Sequence, residues 1–165
     1  MKKTDMSMPS GEQAEYSAAL KRAAALCSKQ EQCSSHIREK LKTWNVPDDA
    51  AEKIIELLKK EKFLDDRRYA SSYVRDKFRL NGWGKIKLAV MLRQKGITQV
   101  TIDEALNQID QERYFQLCHK LISEKSAALK EPNLFKRKGK LFRFAAQRGF
   151  ETDLIHRVLN MDDID

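Results

Sequence analysis

Residues 88–109 read LAVMLRQKGITQVTIDEALNQI. Leu88, Met91 and Leu92 stand before Gly96-Ile97, and Ile102, Ala105, Leu106 and Ile109 stand after it. The spacing i, i+3, i+4, i+7 is the buried stripe of an amphipathic helix. The glycine breaks the stripe where a helix commonly ends in a left-handed residue, and the apolar residue after it folds back on the last turn. The segment predicts helix, tight stop, helix.

The same arrangement stands on either side. Ile37/Lys40/Leu41, Asn45-Val46 and Ala51/Ile54/Ile55/Leu58 precede it, and Leu141/Phe144/Ala145, Gly149-Phe150 and Ile155/Val158/Leu159 follow. Asn tolerates the left-handed stop almost as Gly does. Pro47-Asp48, Thr98 and Thr152 then suit helix starts. A further helix precedes each pair. Leu64-Asp65 opens one and Ile109-Asp110 the next, each Asp an expected N-cap. Tyr69/Tyr73 match Tyr114/Cys118, and the earliest copy is Tyr16/Ala19/Leu20/Ala23/Cys27.

The expected helices are about 16–29, 33–44, 48–61, 65–79, 84–95, 99–109, 110–126, 133–148 and 152–160. No segment alternates with period two, so the fold class is all-α, an elongated, curved array of three tandem three-helix repeats. The repeats are 15–62, 63–109 and 110–165, after a tail at 1–14 that lacks periodicity and holds Pro9 and Gly11 and is read as disordered.

The chain has 165 residues and a net charge of +8. No apolar run approaches the ~18 residues of a membrane span, and the N-terminus has no apolar signal core, so a soluble cytoplasmic protein is expected. Three cysteines, Cys27, Cys33 and Cys118, make no disulfide framework. The charge is segregated. Residues 65–97 hold nine basic and three acidic side chains and 113–150 hold ten and two, while 98–112 and 151–165 are acidic. Such blocks suit a polyanionic partner, or are solvated helix faces. The candidate contacts are Arg67, Arg68, Arg75, Lys77, Arg79, Lys85, Lys87, Arg93 and Lys95 in the first block, and Lys136, Arg137, Lys138, Lys140, Arg143 and Arg148 in the second. Trp83, between Gly82 and Gly84, either stacks on a base or partner or plugs a helix joint. A helix-turn-helix reading of 88–106 is disfavoured, because the second helix carries Asp103 and Glu104 and no cation.

Catalysis finds little support. His36, His119 and His156 stand in no nucleophile elbow, and Gly82-Trp83-Gly84-Lys85 lacks the spacing and the strand of a phosphate loop. Cys27, Cys33 and His36 have no fourth ligand nearby for zinc. No enzyme, metal or cofactor is expected.

The run Phe63-Leu64-Asp65-Asp66-Arg67-Arg68-Tyr69-Ala70, then Tyr73-Val74-Arg75, Gly82 and Leu92-Arg93-Gln94-Lys95-Gly96-Ile97, resembles the signature of RecX regulatory proteins. The match is densest over 60–110. Gly82-Trp83-Gly84 and Trp44-Asn45-Val46 depart from the family pattern. The resemblance implies tandem three-helix repeats that bind the RecA recombinase filament, lie in its groove, and depress ATP hydrolysis, strand exchange and co-protease activity. It implies a modulator without catalysis of its own. The expected partners are the RecA filament and single- or double-stranded DNA, and a monomer is expected. A stand-alone DNA-binding module is the alternative.

Overall fold

The computed structural model describes residues 9–161. Among them the chain forms nine helices and no strand: α1 (Ser10–Lys29), α2 (Ser34–Thr43), α3 (Asp48–Lys60), α4 (Asp66–Asn81), α5 (Lys85–Gln94), α6 (Gln99–Asn107), α7 (Gln111–Ala128), α8 (Leu134–Gln147) and α9 (Thr152–Met161). Packing gathers the described residues into two compact units, divided between Tyr69 and Ala70.

Three helix stops are built alike. Asn45, Gly96 and Gly149 take φ of 59°, 74° and 90°. In each, the following apolar residue donates its N–H five residues back: Val46 to Leu41 O (3.0 Å), Ile97 to Leu92 O (3.1 Å) and Phe150 to Ala145 O (3.3 Å). The left-handed residue itself bonds three residues back, to Lys42, Arg93 and Ala146. This double closure satisfies carbonyls that a helix end otherwise leaves open. A fourth stop gives no chemical sign in the sequence. Lys62 sits at φ 60°, and Phe63 donates to Leu58 O at 2.9 Å.

Unit one packs α1, α2 and α3 around Ala19, Ala23, Ile37, Leu41, Ala51, Ile54, Ile55, Leu58 and Leu64. The stripes read from the sequence are this core. One expectation is corrected. Residues 10–14, read as tail, are the first turns of α1; residues 1–8 lie outside the described residues. Pro9 presets the N-cap (φ −53°), Gln13 N–H closes on its carbonyl at 3.1 Å, and Glu12, Gln13, Ala14 and Glu15 are good helix formers. These turns are exposed, so they carry no apolar period.

In unit two, α5 packs on α6, and α7, α8 and α9 pack on one another. Val74, Leu88, Leu92, Ile102, Ala105, Cys118, Ile122, Leu141, Ala145, Phe150, Ile155 and Val158 are buried. The loop before α5 meets the turn before α9 backbone to backbone. Gly84 N–H donates to Arg148 O at 2.7 Å, and Ile86 N–H to Gly149 O at 3.0 Å. Beside this joint, the Tyr114 hydroxyl accepts from Lys85 N–H (2.9 Å) and donates to Glu151 Oε2 (2.5 Å). Burial, and next the Glu151 bond, push the Tyr114 hydroxyl far above its ordinary range. Burial and then Glu151 push the Cys118 thiol up to about 12, so it is a core thiol.

Leu64 enters the unit-one core. Asp65 caps its own helix, accepting from Arg67 N–H (2.9 Å) and Arg68 N–H (3.1 Å). Asp66 serves another helix: its two oxygens accept from Ser34 N–H and Ser34 Oγ–H, both at 2.8 Å, at the start of α2. Thr98 and Asp110 cap α6 and α7 through Thr101 N–H and Arg113 N–H.

Candidate nucleic-acid interface

Tyr73 and Lys77 lie one turn apart on α4, hence on one face. Trp83 follows in the loop, Lys87 opens α5, and Lys95 caps its C-terminus. Helix stop and loop bring all five together in unit two. The Tyr73 and Trp83 ring centres are 6.4 Å apart at 61°. Lys77 Nζ lies 5.3 Å from the Trp83 ring and 5.9 Å from that of Tyr73. Lys87 Nζ lies 4.5 Å from the Trp83 ring, and Lys95 Nζ 5.7 Å from that of Tyr73. An edge-to-face aromatic pair is thus ringed by three ammonium groups at cation–π distance.

The glycines beside Trp83 are there for backbone reasons. Trp83 N–H bonds Lys77 O (3.3 Å) in closing α4, and a Cβ on Gly84 would collide with the Gly149 carbonyl and Phe150 N. The indole is half-buried. Its ring lies against Tyr73 and under Lys77 and Lys87. Lys77 and Lys87 have no carboxylate partner among the described residues, so their charge is available to an outside anion. A phosphate can take the ammonium groups while a base meets the rings. Tyr73 was legible as a stripe residue and as part of the central signature, but not as a contact; its place four residues before Lys77 was the available signal. Burial raises its hydroxyl pKa.

The other candidate cations divide. Some hold the fold. Arg68 pairs with Glu31 (2.5 Å) and donates to the carbonyls of Lys62 and Phe63, tying α4 to the loops before it in unit one. Arg137 donates to Leu129 O (3.0 Å), Ser126 O (2.6 Å) and Ser126 Oγ (2.8 Å), closing the C-terminus of α7. Lys140 pairs with Glu131 at 2.7 Å. Arg148 donates to Asn81 O (3.0 Å) and lies over Phe144. Lys85 lies over Tyr114 at 4.9 Å.

Others face solvent. Arg67, Arg79, Lys136 and Arg143 are exposed. So are Arg75, 3.6 Å from Asp76, and Arg93, which donates to Gln99 Oε1 at 3.0 Å. Lys138 is half-buried. The histidines stand apart on α2, α7 and α9, with His119 stacked on Phe115 and His156 against Phe142.

A prediction separates the two groups. Arg137→Ala removes three hydrogen bonds from half-buried carbonyl and hydroxyl partners and should cost about 1.5–3 kcal/mol. Lys136→Ala, next to it, should stay within about 0.5 kcal/mol. Urea denaturation followed by circular dichroism compares them; equal midpoints for the two variants would contradict the division.

Tandem three-helix modules define a helical-repeat protein. Comparison with known proteins names the class. The family model for the second three-helix domain of RecX matches residues 65–106, and that for the third matches 111–159. The chain is 32% identical over 152 residues to regulatory protein RecX of Clostridium acetobutylicum, covering 90% of this chain and 70% of that one. It is 33% identical over 138 residues to that of Chlorobium phaeobacteroides, covering 84% and 89%. With regulatory protein RecX of Clostridium botulinum the identity is 34% over 125 residues, which is 74% of this chain but 58% of the relative's length. A crystal structure of regulatory protein RecX superposes with a TM-score of 0.84 at 27% identity, covering 91% of this chain and 74% of that one. The RecX crystal structure from Lactobacillus salivarius, at 20% identity, shares the fold with a TM-score of 0.84 over 92% of this chain and 99% of its own. The chain belongs to the RecX family. No helix among the described residues is long and apolar enough to cross a membrane.

Proposed function

We propose that this chain is a non-catalytic regulator that binds the RecA–DNA filament in the cytoplasm and depresses its ATPase, strand-exchange and co-protease activities, acting as a monomer without a cofactor. We take it as three three-helix modules, 15–62, 63–109 and 110–165. Family membership carries the reading, since its relatives bear the name regulatory protein RecX. The lysine-ringed Tyr73–Trp83 pair supports it, because a nucleoprotein filament presents phosphates and exposed bases.

The test is the single-strand-dependent ATPase of the cognate RecA. Added below stoichiometry, the chain should slow it; unchanged hydrolysis and strand exchange at equimolar protein would reject the reading. The double variant Lys77→Gln/Lys87→Gln should bind the filament about tenfold more weakly at low salt, two phosphate contacts being lost.

The alternative, a stand-alone DNA-binding module, rests on the two basic blocks. It requires tight DNA binding without RecA. The salt slope should then fall by about 1.4–1.8 in the double variant, at 0.7–0.9 per phosphate contact. A slope unaltered by the substitutions would set that alternative aside.

A further inference from the structure

Helix α8 reads LFKRKGKLFRFAAQ and contains no acidic residue. Its buried side, Leu141 and Ala145, faces the core of unit two. A second stripe lies elsewhere on the cylinder: Phe135, Gly139, Phe142 and Ala146, at spacings of four, three and four. Ring and small residue alternate along it. Phe135 is 87% exposed and Leu134 beside it 75%, the two most exposed large apolar side chains among the described residues. Phe142 is half-buried, its ring centre 5.2 Å from that of His156.

Two features have no internal explanation. Exposing a whole phenylalanine ring forgoes its burial. Placing Gly139 inside a helix is unfavourable relative to alanine. A Cβ at Gly139 would meet nothing within 4 Å, so the fold does not ask for the glycine. The turn is nonetheless well anchored. Asn133 Oδ1 caps it by accepting Lys136 N–H at 2.9 Å, and Arg137 ties it to α7. Phe135 is therefore presented from a fixed base.

We propose that this stripe is a second contact for single-stranded nucleic acid, with bases stacking on Phe135 and Phe142, the strand passing close over Gly139, and phosphates taken by Lys136 and Arg143. This deepens the nucleic-acid part of the function proposed above and rests on it. Charge decides the class of occupant. The helix offers cations and no carboxylate, and Glu131, just before it in the chain, is paired with Lys140. The pattern favours nucleic acid over an acidic protein segment. Protein hot spots are continuous apolar centres with a polar rim. Here rings, gaps and cations alternate along about 10.5 Å of helix between the two phenylalanines, as they do in grooves that track a strand. Unpaired bases are required, because duplex bases hide their faces.

The experiment is fluorescence anisotropy of the full chain with a dye-labelled oligothymidine, without RecA. Phe135→Ala should weaken binding about five- to hundredfold, and Phe135→Trp should restore it. The melting temperature of Phe135→Ala should not move, since the ring is exposed. Gly139→Ala should raise the melting temperature yet weaken binding. Unchanged affinity in both Phe135→Ala and Gly139→Ala would overturn the proposal. So would a Phe135→Ala protein that binds the bare strand normally but no longer acts on RecA filaments, because the stripe would then be a protein contact. If the unsubstituted chain leaves RecA hydrolysis untouched while Phe135→Ala loses the strand, the stripe stands and the RecA reading falls.

Discussion

Gly149→Ala should lower the melting temperature by about 10 °C, the larger of two glycine effects with opposite sign. Gly149 sits at φ 90°, where an L side chain is strained by about 1–3 kcal/mol. Its new Cβ would also collide with the N, Cα and Cβ of Lys87. Those are main-chain atoms and the first side-chain carbon, so no rotamer change relieves the overlap. The start of α5 must move off the α8–α9 turn, and the bonds from Gly84 N–H to Arg148 O and from Ile86 N–H to Gly149 O stretch with it. Overpacking of this kind costs about 1–3 kcal/mol more. The two costs together, at about 2–4 °C per kcal/mol for a chain of this size, give the expected shift. Gly139→Ala should instead stabilise by about 0.5–1 kcal/mol, having open space around its Cβ. Thermal unfolding followed at the helical circular-dichroism band distinguishes them. Equal melting temperatures for the Gly149→Ala and unsubstituted proteins would show that the joint yields.

The parts of the fold that were legible in the sequence are those with a chemical mark. Asn45, Gly96 and Gly149 announced their stops because few other residues enter the left-handed region cheaply. The stripes at Ile37/Leu41, Leu88/Leu92 and Leu141/Ala145 announced their helices because burial imposes the period. Lys62 makes the same turn as Gly96 with nothing to announce it, and the early turns of α1 form without a buried face.

The candidate site was legible as charge but not as geometry. A cluster such as Lys136-Arg137-Lys138-Gly139-Lys140 looks uniform in one dimension. Helical projection sends Arg137 inward to the end of α7, pairs Lys140 with Glu131, and leaves Lys136 outside. A guanidinium with five donors is well suited to unsatisfied carbonyls, so arginines near helix ends are drawn into structure as readily as onto phosphate. For this reason Arg68→Glu is a poor probe of binding: it would set like charges at Glu31 and expose the carbonyls of Lys62 and Phe63. Lys77 and Lys87, held only against rings, are cleaner probes.

Asp66→Ala is expected to destabilise unit one by about 2–4 kcal/mol, more than Asp65→Ala, although the two carboxylates are neighbours in the chain. Helix α2 has no side-chain cap of its own: Cys33 stands at the N-cap and makes no cap bond. The acceptor comes instead from Asp66, 32 residues later, which takes both the N–H and the hydroxyl of Ser34. Ser34 is buried, so removing the carboxylate leaves two polar hydrogens without their acceptor. It also removes a negative charge from the positive end of α2, worth a further fraction of a kcal/mol. Asp65 bonds two exposed N–H groups at the head of α4, where water can replace it, and should cost about 1 kcal/mol, as ordinary caps do. Asp66→Asn keeps one acceptor oxygen and should recover part of the loss. Urea midpoints of the three variants give the order Asp65→Ala, Asp66→Asn, Asp66→Ala from least to most destabilised. Single-strand affinity, measured well below the melting temperature, should be the same in all three as in the unsubstituted chain. If Asp66→Ala kept full stability but lost affinity, the acid pair would be a contact surface, and its place in the RecX signature would need a different physical reason.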